Sequence, residues 1–181
     1  MSLMIDNLAN VGLPMIFWQM PVAAIALLPV VVLESLIAVL ILKQPFRPVL
    51  LRVFAANALS TFVGIPIAWV VMFIFNILLN TIDPRRHGYD TPWDAFESLI
   101  RQAAWLFPSD GHMFWLIPAA TLVLLLPYFL VSIFIERWLL RRTFPDIEPY
   151  RLNLAAWLTN AASYGGLAAL TAYWLYDAIY S

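Results

Sequence analysis

Cysteine is absent from the 181 residues. That excludes disulfides, thiolate metal sites and thiol nucleophiles, and it leaves the redox compartment open. Charge is scarce: 12% of residues are acidic or basic, about half the share of a soluble domain, and the net charge of -1 gives nucleic acid no field to follow. Histidine occurs twice, at His87 and His112. Asp83, Asp90 and Asp110 lie near them in sequence, at spacings that fit no metal motif. No histidine falls in an apolar stretch, which argues against haem held by histidine there. Glycine-rich phosphate loops, HExxH and GxSxG are all missing. The sequence therefore assigns no catalytic residue, no metal and no cofactor.

What the chain has in excess is apolar surface. Hydrophobic residues make up 63% and aromatics 15%. So much apolar area needs lipid as its solvent, with aromatics at the interface. A membrane-crossing helix takes about 20 apolar residues. Four stretches qualify: about Met15 to Leu42, Val53 to Leu79, Met113 to Ile135 and Leu154 to Ile179. The expectation is an all-α integral membrane protein of four transmembrane helices in one domain, 1–181. The N-terminal stretch carries Asp6 and no basic residue, unlike a cleaved signal, so the first helix is read as retained.

Basic residues set the orientation. Lys43, Arg47 and Arg52 follow the first stretch; Arg137, Arg141, Arg142 and Arg151 surround the second hairpin's loop. By the positive-inside rule these two loops face the cytoplasm, and both termini and the central loop face outward. The localisation read is a multi-pass protein of the bacterial cytoplasmic (inner) membrane. Within the central loop, Thr91-Pro92-Trp93-Asp94 has the form of a helix start with a reciprocal cap. Trp93, Phe96, Ile100 and Phe107 follow at helical spacing, which predicts an amphipathic interfacial helix touching lipid or the mouth of the bundle.

The most specific feature is an internal repeat. Phe17-Trp18-x-x-Pro21 and Phe114-Trp115-x-x-Pro118 open the two copies. Each then reaches a second proline, Pro29 or Pro127, then Glu34 or Glu136, then a basic loop, then Asn57-x-x-Ser60 or Asn160-x-x-Ser163. The chain is expected to be two tandem helical hairpins, 14–79 and 113–180, joined by the loop 80–112. Two spans per copy make the repeat parallel.

Six polar residues in or next to the spans stand out. Glu34 follows Trp18 by sixteen positions, about 24 Å of helix. Glu34, Asn57 and Ser60 are expected at one depth, and Glu136, Asn160 and Ser163 at the equivalent depth of the second copy. Intramembrane acids suggest cation or proton sites. The plainer role is interhelical hydrogen bonding, with Glu136 drawn toward the adjacent Arg137. Small residues recur at steps of four: Ala56, Ser60, Gly64 and Ala68 in the second span, and Ala161, Gly165 and Ala169 in the fourth. Both stripes are read as packing faces within the protein. Gly64-Ile65-Pro66 is expected to kink the second span.

Missing catalytic groups and small extramembrane mass favour a non-catalytic accessory or assembly subunit. Its partners would be membrane lipids and the subunits of a larger membrane complex, with no nucleic acid. The alternative is a small oligomeric transporter or channel using Glu34 and Glu136. A third reading, a lipid-modifying enzyme, would rest on the outer loop around Arg85 and His87.

Overall fold

The computed structural model describes residues 13–82, 91–106 and 113–181. It is nearly all helix. Helix α1 spans Met15–Leu42. Helix α2 runs Phe46–Ile82, interrupted by one π-helical turn at Ser60–Gly64. A short helix α3, Pro92–Gln102, precedes the two remaining long ones, α4 at Met113–Thr143 and α5 at Pro149–Tyr180. Two strands that the sequence did not announce, β1 (Leu13–Pro14) and β2 (Trp105–Leu106), pair antiparallel with Leu13 opposite Leu106. Two residues each carry too little alternation to be read from sequence.

The turn after α1 is shorter than expected. Lys43 takes a left-handed conformation (φ 52°, ψ 41°), and its N–H donates to the Val39 carbonyl. Pro45 then caps α2, so Arg47 and Arg52, expected in a loop, stand on the first turns of a helix. A proline at a helix start loses no intrahelical bond, which is why this one begins the helix instead of delaying it. Pro149 does the same for α5, placing Arg151 on the helix. Inside α1 and α4, Pro21, Pro29, Pro118 and Pro127 leave the helices continuous.

The four long helices pack as a ring in the order α1, α2, α4, α5. Two apolar clusters fill its ends. One gathers Met15, Ile65, Ala68, Ala103, Leu106 and Leu116. The other, at the basic end, gathers Leu42, Val49, Leu140, Phe144 and Leu152. The outside of the ring is apolar too: Ile25 is 78% exposed, Leu40 77% and Phe134 68%.

Three helices, Met15–Leu42, Phe46–Ile82 and Trp115–Thr143, are long and apolar enough to cross a membrane. Helix α5 has the length, 32 residues, but Asn153, Thr159, Asn160, Ser163 and two glycines dilute its apolar content, and it falls outside that set. The expectation of four such helices is met for three.

Helix α3 begins as the sequence indicates. The Thr91 hydroxyl accepts from the Asp94 N–H at 3.1 Å, and the Thr91 N–H donates to the Asp94 carboxylate at 3.2 Å. The helix docks on the bundle through Ser98 and Gln102, both buried, while Trp93 and Phe96 point away with ring centroids 5.9 Å apart. Ile100 is half-buried. The expected stripe is therefore not the docking face at Trp93 and Phe96; Phe107 lies outside the described residues, as do His87, His112 and Arg85.

The small-residue stripes part company. Ala56, Ser60, Gly64 and Ala68 are all buried, and a side chain at Gly64 would meet Ile135 of α4 at 2.8 Å. Ala161, Gly165 and Ala169 are exposed, and nothing lies within 4 Å of a Cβ added at Gly165. The expectation that this second stripe packs within the protein is corrected. Helix α5 buries Ala155, Ala156, Thr159, Asn160 and Ser163 instead, because two of those polar groups find carboxylate partners only inside the ring.

Candidate functional site

Between the two apolar clusters lies a polar layer. Asn57 stands eleven residues after the start of α2 and Asn160 eleven after the start of α5, about 16 Å into each helix. Glu34 and Glu136 sit eight and seven residues before the ends of α1 and α4. All four therefore reach one level.

Each glutamate is held by two neutral donors. Asn57 Nδ2 donates to Glu34 at 2.6 Å and Ser163 Oγ donates to the other oxygen of Glu34 at 2.5 Å. Asn160 Nδ2 donates to Glu136 at 2.5 Å, and Ser60 Oγ donates to its other oxygen at 3.5 Å. Glu34 is 1% exposed and Glu136 3%. The six residues singled out in the sequence thus form one cluster, not two. The grouping also differs from expectation: the serines are exchanged, each serving the glutamate of the other half. Three residues along a helix turn the side chain about 60° away, so Asn57 faces α1 while Ser60 faces α4. Glu136 does not turn to Arg137; it points inward to Asn160 and Ser60.

The electrostatics follow from what is missing around the pair. Among the described residues, no lysine or arginine lies within ion-pair distance of either carboxylate. The two glutamates are close enough for their charges to act on each other. Two anions side by side in a low-dielectric interior repel strongly, and neutral donors do not cancel their charge. Such a pair is compensated by a bound proton or a cation. Among the described residues no group of three or more metal-ligating side chains gathers there.

Several polar residues escaped the sequence reading. Tyr128 donates to Gln19 Oε1 at 2.5 Å, leaving Gln19 Nε2 buried without a partner. Ser132 and Tyr164 hydroxyls lie 2.7 Å apart. Asn76 clamps the end of α3: it accepts from the Ala104 N–H at 3.1 Å and donates to the Ile100 carbonyl at 2.8 Å. Gln19 and Asn76 are amide side chains within apolar stretches, and that contrast was the available signal.

Two hollows lie nearby, and the smaller adjoins the cluster. An apolar cavity of about 370 Å³ opens between α1, α4 and α5, walled by Trp18, Gln19, Tyr128, Tyr164 and Trp174 among others. A smaller one of about 50 Å³ shares Ala23, Ala26, Ile65, Tyr164 and Leu167 with it and reaches Asn57, Ser60 and Ser163.

Fold and site together define a nearly all-helical protein, with three helices long and apolar enough to cross a membrane, around a buried pair of carboxylates on neutral donors. Comparison with protein-family models, curated proteins and solved structures finds no match to this chain.

Proposed function

We propose that the protein is a four-span membrane carrier of the small, transporter-like kind, in which the Glu34–Glu136 pair takes up a proton or monovalent cation. The observation that carries the reading is the meeting of two glutamates from separate helices in one buried layer with no basic partner among the described residues. A purely structural tie could use neutral groups alone. Two buried acids cost stability unless a positive charge joins them, and a site that must gain and lose such a charge is what coupled transport uses.

The same reading takes the chain as two tandem hairpins in parallel orientation. The exchanged Ser60 and Ser163 bonds support it, since each half contributes the same residues to the other's acid. Helix α5 crosses as the fourth span, its Thr159, Asn160 and Ser163 turned into the ring. The basic ends of α1, α2, α4 and α5 face the cytoplasm of a bacterial inner membrane, with α3 on the outer surface.

Purified protein in liposomes with an entrapped pH dye tests the proposal. Wild type is expected to carry protons or to exchange them for a monovalent cation. Glu34→Gln and Glu136→Gln, which keep shape and hydrogen bonding, are each expected to lose that flux. Flux unchanged in both variants, or none in wild type, removes the mechanism.

A second reading, the accessory subunit, is favoured by the outward stripe of Ala161, Gly165 and Ala169, open for close approach by another helix. Its test is extraction from native membranes in mild detergent: a stoichiometric partner supports it, and a lone monomer speaks against it. The enzyme reading centred on Arg85 and His87 lies outside the described residues and gains no support.

A further inference from the structure

The two hollows differ in size and polarity, as the two ends of an amphiphilic ligand do. The large cavity, about 370 Å³, is in the size range of small-molecule sites and is lined by apolar and aromatic groups. A cavity of roughly 150 Å³ accepts benzene, so this one has room for a tail of about a dozen heavy atoms. Trp18 and Trp174 stack beside it with ring centroids 6.4 Å apart. The small cavity, about 50 Å³, holds only a compact head group. Its wall includes Asn57, Ser60 and Ser163, three of the four side chains that donate directly to the two carboxylates. Asn57 spends its amide nitrogen on Glu34 and on the Val53 carbonyl, and its amide oxygen accepts no bond from the described residues.

We propose that the two cavities form one binding site for a small lipophilic amine in its ammonium form, with the head in the smaller, lower hollow beside the carboxylate layer and the apolar tail in the larger, upper one. The inference rests on the reading of the Glu34–Glu136 pair as a centre that takes up positive charge, and it names the substrate class. An ammonium supplies the charge the acids lack, at one hydrogen bond's remove from them. It also offers donors to Asn57 Oδ1 and the serine hydroxyls. The tail lies along the apolar cleft, and the aromatic walls attract a passing cation. A quaternary head, bulky and without donors, does not suit the lower hollow.

Three probes of nearly equal tail separate these contributions: 4-phenylbutylamine, the uncharged 4-phenylbutan-1-ol, and the trimethylammonium analogue of the amine. Binding to detergent-solubilised protein is followed by tryptophan fluorescence, since Trp18 and Trp174 flank the cavity, and by calorimetry. The amine is expected to bind at least roughly tenfold more tightly than the alcohol, as a nearby uncompensated anion dictates. The trimethyl analogue is expected to bind like the alcohol or worse. Glu34→Gln is expected to remove most of the amine's advantage while leaving the alcohol unchanged, and Ala26→Phe to weaken amine and alcohol together by filling the passage between the hollows. Amine and alcohol binding alike in wild type overturns the proposal with no variant needed. So does an amine preference indifferent to both Glu34→Gln and Glu136→Gln. Proton flux in liposomes with no amine binding would sink this inference alone and leave the carrier standing; amine selectivity without flux would do the reverse.

Discussion

Glu34 and Glu136 were conspicuous as acids in apolar stretches, yet their meaning changed when they met. Apart, each is a glutamate near an interface, able to reach a basic loop. Together they are a coupled pair whose charge state is a property of both. Removing one acid relieves the repulsion on the other, so their substitutions should not add. In a double-mutant cycle of Glu34→Gln and Glu136→Gln, followed by unfolding in mixed detergent, a coupling of about 0.5–3 kcal/mol is expected, the range for residues sharing one network. Additive effects would mean the two sites do not sense each other. The depth of Glu34 could be read by counting turns from Trp18. Which serine serves which acid could not. That depends on how helices from different halves face each other, and sequence spacing reports only the angle within one helix.

At the level of the helix, patterns of small residues look alike in sequence and behave differently in space. Gly64 sits where α2 presses on Ile135 and Val131 of α4, so any side chain there must displace a neighbour. The π-helical turn Ser60–Gly64 lies in the same stretch, just ahead of Pro66, and Ser60 within it reaches Glu136. The kink expected from Gly64-Ile65-Pro66 is thus an extra residue in one turn, an arrangement often found beside functional sites. Gly64→Val is expected to cost about 1–3 kcal/mol by overpacking. Gly165→Ala, facing open space, should stay within about 0.5 kcal/mol or stabilise slightly. Thermal unfolding in detergent compares the two, and equal losses would contradict the packing described. Helix α3 was legible down to its cap because Thr91 and Asp94 act within one turn. Its docking was not, since Asn76 holds it from a residue far away in sequence.

At the scale of the whole molecule, the proposed four-span reading returns the chain to its starting side, and it therefore predicts both termini on one face of the membrane. Cysteine reporters at Ser2 and Ser181 in an otherwise cysteine-free chain should be labelled from one face of the membrane by an impermeant thiol reagent. Reporters at Gln44 and Asp146 should be labelled from the other. Labelling of Ser2 and Ser181 from opposite faces would exclude the four-span reading. Composition and hydrophobic run length set the helical class of this protein by themselves. Apolar residues in long unbroken runs have no stable place except packed helices in an apolar solvent, and that preference is local. The start of α3 at Thr91 follows from local chemistry as well, whereas the starts at Pro45 and Pro149 fell where loops were expected. Only the tertiary structure decided that the two acids meet in one cluster, that the last helix turns Ala161, Gly165 and Ala169 outward, and that an apolar cavity adjoins a smaller one lined by donors to the carboxylates. Each of these is a contact between residues from different helices, fixed by how side chains of one fill the spaces of another, and no periodicity along a single helix encodes it.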